Sequence, residues 1–236
     1  MLPNLFPKNR YPLGSHIYAR CRLSCTGHPA DTTIHPRRSI MYRLFIAGLD
    51  SAVASVLIIP AVLILNRICF HSWKKTFFYT ILSVYLAGVY LVVGLPNVTY
   101  VRLEANINQI PFLDLFSNLS ATLLNIVLFL PLGLLSVILW KPFQKVKYNL
   151  TLGFFITLSI EILQLFTFRA TDVNDLITNT FGCLIGWFLG SKLAKRWPGV
   201  CCNGTRNETI LVFSTVLGIM FFIHPFLAPM IWNLIY

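Results

Sequence analysis

The feature that most constrains the fold is a series of long apolar runs, separated by short polar or charged stretches. Several of these runs reach the roughly 18 to 20 residues that a helix needs to cross about 30 Å of hydrocarbon. Hydrophobic residues make up 56% of the chain and charged residues only 11%, so water is not the main solvent of most side chains. The sequence therefore predicts an all-α, multi-pass transmembrane helix bundle with about five to six spans.

Six candidate helices account for these runs. A proline should kink or end a helix unless neighbouring groups satisfy the carbonyl that it leaves free. Pro60 lies in the first run and Pro225 and Pro229 lie in the last, for which we expect a span with a broken outer half. The predicted helices cover about residues 44–66, 77–95, 120–140, 149–168, 175–193 and 209–235.

The runs also suggest how the chain is organised. Residues 1–40 contain Pro, Arg and Cys without apolar periodicity and lack the apolar core of a signal peptide, so we expect a disordered tail. Residues 41–95 would form two transmembrane helices, residues 96–195 a central membrane domain, and residues 209–236 a C-terminal hydrophobic helix.

The charge of the chain predicts its orientation rather than a nucleic-acid partner. The net charge is +11, but the Lys and Arg residues lie between apolar runs, as the positive-inside rule describes. Ten of them fall in the connections near 67–76, 141–148 and 192–208, and only two in those near 96–119 and 169–174. We therefore expect the first set to face the cytoplasm and the second to face outward, and we expect no nucleic acid to bind.

Neither a cofactor nor a metal ion is expected. The six cysteines do not form a disulfide framework, and Cys201 and Cys202 are adjacent. Cys21 and Cys25 have histidines nearby, but their order fits no standard zinc spacing. Free thiols are the better interpretation.

Glu161 interrupts an apolar run, and a carboxylate at the centre of a bilayer costs about 2.5 to 3.5 kcal/mol on insertion scales. Gln164 lies on the same helix face, and Arg169 at the outer end of the span could fold back toward Glu161 or extend to lipid phosphate. These residues favour a functional polar pocket. The alternative is that Glu161 only fixes helix packing and that Arg169 is an interfacial anchor.

The next helix begins with more polar residues. Asp172 with Asp175 three positions later resembles a capping box, which is an ordinary structural role. Asp175 and Asn179 lie four positions apart, on one face inside an apolar segment, and buried polar groups there need partners. Asn125, on the predicted helix at residues 120–140, would join this site or serve only to form a hydrogen bond between helices.

The face that carries Asp175 and Asn179 continues as a series of small residues at Gly182, Gly186 and Gly190. This spacing allows another helix to approach closely. We expect that partner to be the helix that contains Asn125, with a bend at Pro131.

Taken in order, these residues resemble the VanZ-like family of bacterial multi-pass membrane proteins over about residues 106–192. The resemblance implies a protein of the bacterial cell membrane, in a family whose founder is associated with low-level resistance to the glycopeptide teicoplanin. It makes residues 96–195 a VanZ-like membrane domain and leaves the N-terminal segment and the last helix outside. The residues that carry it are Asn108, Gln109, Ile110, Pro111, Phe112, Asn125, Phe129, Pro131, Leu132, Gly133, Ser159, Glu161, Gln164, Arg169, Asp172, Asp175, Asn179, Gly182 and Gly186.

The leading hypothesis is an outward-facing pocket that binds a lipid headgroup, a lipid-linked cell-wall precursor or a lipoglycopeptide and contributes to teicoplanin resistance. One alternative is a membrane-embedded hydrolase or transferase that acts on a lipid-linked substrate, so enzymatic activity is left open. Another is a structural bundle or small transporter, whose polar residues fix the packing. The predicted pocket consists of Asn125, Glu161, Gln164, Arg169, Asp172, Asp175 and Asn179.

Overall fold

The structure is a computed structural model that describes residues 36–99, 101, 107–108, 119–167 and 171–235. The side chains of residues 36–43, 107–108, 171–172 and 235 are not described. Most of the predicted N-terminal tail lies outside these residues, and helix α1 already covers residues 36–40 of it.

The six predicted helices are all present. The first continues into a π-helical turn, Asn66–Phe70, and the last is divided by a second one, Ile219–Ile223. The helices are α1 (Pro36–Leu65), α2 (Trp73–Val93), α3 (Leu119–Leu139), α4 (Val146–Gln164), α5 (Val173–Arg196), α6 (Arg206–Gly218) and α7 (His224–Ile235).

Five helical segments are long and apolar enough to cross a membrane, which confirms the predicted multi-pass bundle. They are Leu44–Phe70, Trp73–Val93, Leu119–Leu139, Val146–Gln164 and Arg206–Leu234. Helix α5 is not among them, because its first turns carry Asn and Asp and its later turns carry glycines and charged residues.

The two connections that we expected to face outward meet at one end of the bundle. Ile107–Asn108 pairs in parallel with Thr171–Asp172, which forms the only sheet in the described part of the chain. With two residues in each strand, this pairing leaves the fold all-α.

The three basic connections meet at the opposite end. Lys74 donates its ammonium hydrogens to the carbonyls of Gly199 and Cys201, the latter at 2.6 Å from Nζ. The backbone N–H of Cys202 donates to the carbonyl oxygen of Ile138 at 2.8 Å. These contacts place the basic residues together on one side of the membrane, which the positive-inside rule assigns to the cytoplasm.

The prolines had suggested that the last span is broken in its outer half, but the structure shows a continuous helical segment there. Pro225 cannot donate to the carbonyl of Phe221, but the backbone N–H of Val98 donates to that oxygen at 3.1 Å. A π-helical turn precedes Pro225 and keeps the chain helical from α6 into α7. A neighbouring connection therefore satisfies the group that the proline leaves free.

An ion pair near the basic end joins α2 to α6. Lys75 Nζ lies 2.7 Å from Glu208 Oε1, with the side chains 19% and 8% exposed. Tyr79 donates its hydroxyl to Glu208 Oε2 at 3.2 Å, and Glu208 also forms a capping box with Thr205 at the start of α6. The sequence analysis did not identify this pair.

Candidate ligand-binding site

Glycines bring α3 and α5 into the most extensive helix contact that the structure describes. A Cβ atom added at Gly182 or Gly186 would overlap the backbone of Ile126 or Leu130, and one at Gly190 would lie 3.0 Å from the carbonyl oxygen of Leu134. The prediction that this small-residue series packs on the helix of Asn125 is confirmed. We call this contact the glycine seam.

The two helices run in parallel along the seam, because each successive glycine meets a residue the same distance further along α3. Gly133 of α3 packs in turn against the backbone of Cys183. Backbones this close leave no room for intervening side chains, so polar side chains at the outer end of the two helices must lie near each other.

Asn125 and Asp175 meet at this outer end. The Nδ2 atom of Asn125 donates to Asp175 Oδ1 at 2.6 Å, and both side chains are half-buried. An ionised carboxylate accepts hydrogen bonds but cannot donate them, so the amide nitrogen of Asn125 must face Asp175. Two residues that the sequence assigned to one site are therefore in direct contact.

The Asn125 to Asp175 bond should be measurable by a double-mutant cycle with Asn125→Ala and Asp175→Ala. We expect a coupling free energy of about 0.6 kcal/mol, the average for hydrogen bonds between membrane helices, and at most about 1.7 kcal/mol. The measurement is the free energy of unfolding of each variant in mixed micelles. Strictly additive effects of the two substitutions would contradict the contact.

Glu161 and Gln164 are both buried, each with a relative exposure of 5%. Gln164 donates from Nε2 to the carbonyl oxygen of Val93 at 3.0 Å, at the C-terminal end of α2. The predicted face of α4 therefore does point into the bundle, and Gln164 joins α4 to α2.

Glu161 and Asp175 lie at the same depth in the bundle. A Cβ atom added at Gly153 of α4 would be 2.7 Å from Cys183 Sγ of α5, which marks the point where these helices cross. Glu161 is eight residues from Gly153 and Asp175 eight residues from Cys183, both toward the outer end. At 1.5 Å per helical residue, the backbone of each of these two residues lies about 12 Å along its helix from the crossing.

Asn179 is also buried, with a relative exposure of 4%. Its Oδ1 atom and the Oε1 atom of Gln164 accept no hydrogen bond from any residue that the structure describes. Buried polar atoms normally have a partner, so these two acceptors are sites where a donor from a ligand or water would be favourable.

Two members of the predicted site are not fully described. Arg169 lies outside the described residues, and so does the side chain of Asp172. The backbone of Asp172 pairs with Asn108, directly before α5 begins, which is the position of a helix cap. The structure thus brings Asn125 and Asp175 together and places Glu161 level with them.

The sequence analysis missed Asn149, which is 1% exposed on α4. Its Nδ2 atom donates to the carbonyl of Gly133 at 3.0 Å and to Ser136 Oγ at 2.7 Å. An asparagine at the start of a predicted span was the available signal. This residue fixes α4 against α3 below the site.

Asp50 and Trp232 form another polar contact that was missed, between α1 and α7. Trp232 donates from Nε1 to Asp50 Oδ1 at 2.9 Å, and His224 Nε2 lies 3.3 Å from the backbone oxygen of Asp50.

Within the described residues, no group of three or more His, Cys, Asp or Glu side chains is placed to hold a metal ion.

Comparison with known proteins covers the part of the chain that forms α2 to α5. A model of the VanZ/LLP1 family matches residues 76–194, which extends the resemblance seen in the sequence to include α2. Protein VanZ of Enterococcus faecium is 34% identical over 117 residues, covering 48% of this chain and 67% of the relative. No solved structure matches. The helices that meet along the glycine seam lie inside the matched region, and the chain belongs to the VanZ/LLP1 family.

Proposed function

We propose that the protein acts in the bacterial cell membrane and contributes to resistance against teicoplanin-type glycopeptides through an outward-facing polar pocket. The observation that carries the proposal is the contact of Asn125 with Asp175 at the outer end of the glycine seam, level with Glu161. Similarity to Protein VanZ supports the link to glycopeptides.

The described polar groups mostly accept hydrogen bonds. Asp175 and Glu161 are carboxylates, and Asn125 and Gln164 each already donate one amide hydrogen, to Asp175 and to the carbonyl of Val93. A ligand that fits this set presents donors, such as the hydroxyls of a sugar or an amine.

Three ligand classes combine such donors with an acyl chain that suits the apolar bundle. They are a membrane lipid headgroup, a lipid-linked cell-wall precursor and a lipoglycopeptide such as teicoplanin itself. In this proposal Arg169 and Asp172 complete the rim of the pocket, and Arg169 donates to a phosphate or carboxylate of the ligand.

A binding measurement tests the pocket. Teicoplanin is titrated against the purified full chain in lipid nanodiscs, and we expect Asp175→Asn and Glu161→Gln each to weaken binding roughly tenfold, as loss of a charge-assisted hydrogen bond predicts. Asp175→Asn retains an acceptor for Asn125, so it removes charge and leaves the helix contact in place.

Asp50→Asn is the matched control, because Asp50 is a bundle carboxylate that contacts Trp232 rather than the site. Its affinity for teicoplanin should equal that of the wild type. Equal affinity of all four proteins, or no binding by any of them, would count against the pocket as a teicoplanin site.

The alternative of a membrane-embedded hydrolase or transferase draws on the two carboxylates at one depth, since such pairs can serve as general acid and base. It is tested by incubating the protein in lipid with candidate precursors and measuring conversion. Conversion that Asp175→Asn abolishes would support the enzyme. If the protein binds the precursors without converting them, the ligand-binding function is favoured over the enzyme.

A further inference from the structure

The turn between α1 and α2 borders an open surface cavity of about 670 Å³ at the basic end of the bundle. Its lining residues are Asn66, Arg67, His71 and Trp73. Asn66 holds the turn, because its Oδ1 atom accepts from the backbone N–H of Ser72 at 2.9 Å. His71 has a left-handed backbone, with φ of 47°, which turns the chain from α1 into α2.

Arg67 gives this cavity a positive charge. The neighbouring cations of the turn are engaged, since Lys74 donates to backbone carbonyls and Lys75 pairs with Glu208. Arg67 is exposed and forms no hydrogen bond or ion pair with any residue in the described part of the chain. Its guanidinium is therefore available to an anion, and its planar donors match the geometry of a phosphate.

Apolar side chains surround the same turn. Trp73 is 75% exposed, Ile68 is 67% exposed and Phe77 is 61% exposed. The turn joins the spans Leu44–Phe70 and Trp73–Val93, so these side chains lie where hydrocarbon meets the headgroup layer. An exposed tryptophan beside an arginine is typical of that boundary, where the ring contacts lipid and the cation contacts phosphate.

We propose that this cavity binds the headgroup of an anionic phospholipid, at the end of the bundle that we expect to face the cytoplasm. Arg67 donates to the phosphate, and the ring of Trp73 packs against the lipid where its acyl chains begin. The site is independent of the polar groups at the outer end and lies outside the region that the family model matches.

The test uses the purified full chain in detergent and native mass spectrometry to count bound lipids during titration with phosphatidylglycerol or phosphatidylcholine. We expect phosphatidylglycerol to bind more tightly, and Arg67→Gln to weaken it roughly tenfold. Arg67→Lys should retain part of the affinity, because it keeps the charge and loses the planar donors.

Arg196→Gln is the matched control, since Arg196 is an exposed arginine at the same end but outside the cavity. It should change the affinity less than twofold. Equal losses for Arg67→Gln and Arg196→Gln, equal affinity of the wild type for both lipids, or displacement of the lipid by millimolar inorganic phosphate would each overturn the proposal. The thermal unfolding of each variant, which should match the wild type, confirms that the folded protein is compared.

Discussion

Replacing Gly186 with alanine is expected to destabilise the bundle by roughly 2 kcal/mol or more. The added methyl group would overlap the backbone of Leu130, which cannot move aside as a flexible side chain could. Overpacking typically costs about 1 to 3 kcal/mol, and here the α3 and α5 backbones must separate along their whole contact. The measurement is the free energy of unfolding in mixed micelles, with a lower Tm as a second readout.

Gly48→Ala is the control for this substitution. Gly48 also lies within a helix, but a Cβ atom there would meet nothing within 4 Å. Alanine should leave the stability unchanged or raise it by about 0.5 to 1 kcal/mol, because it favours the helix. If Gly186→Ala were as stable as Gly48→Ala, the close approach of α3 and α5 would be wrong.

Lys75→Met is expected to cost roughly 3 kcal/mol of stability. It removes the cation that lies 2.7 Å from Glu208 and leaves a carboxylate that is only 8% exposed. Breaking a buried ion pair by removing one partner typically costs about 3 to 5 kcal/mol, whereas replacing both charges costs much less. Thermal unfolding of the purified protein, followed by size-exclusion elution, measures the effect.

Two further variants distinguish the effect of losing this ion pair from the effect of losing any positive charge. Lys74→Met should have a small effect, because Lys74 is exposed and donates to backbone carbonyls rather than to a carboxylate among the described residues. Adding Glu208→Gln to Lys75→Met should recover part of the stability, since glutamine still offers an acceptor to Tyr79 and Thr205. A double variant less stable than Lys75→Met alone would show that the ion pair is not the reason for the loss.

The helices and their closest packing could be predicted from the sequence because both depend on local patterns. Apolar runs of sufficient length define α1 to α4 and the last span, and glycines spaced by four residues define the face of α5 that meets α3. The proline at 225 misled the prediction of the last span. Its effect depends on Val98, a residue far away in the sequence whose N–H reaches the carbonyl of Phe221.

The sequence was enough to predict which residues belong to the candidate site, but not which atoms they contact. Asp175 and Glu161 are conspicuous as carboxylates within apolar segments, but the partner of Gln164 is a backbone carbonyl, which no side-chain pattern reveals. Lys75 and Glu208 are 133 positions apart, and Asp50 and Trp232 are 182 apart. Such pairs depend on how the last span packs against α1 and α2, and periodicity within one helix carries no information about that.

Teicoplanin susceptibility in living cells tests the central proposal most directly. A susceptible bacterial host would express the wild type, Asp175→Asn or Asp50→Asn at equal levels in the membrane. We predict that the wild type and Asp50→Asn raise the inhibitory concentration of teicoplanin and that Asp175→Asn does not. Protection by Asp175→Asn equal to that of the wild type would contradict a role for the carboxylate at the outer end of the glycine seam.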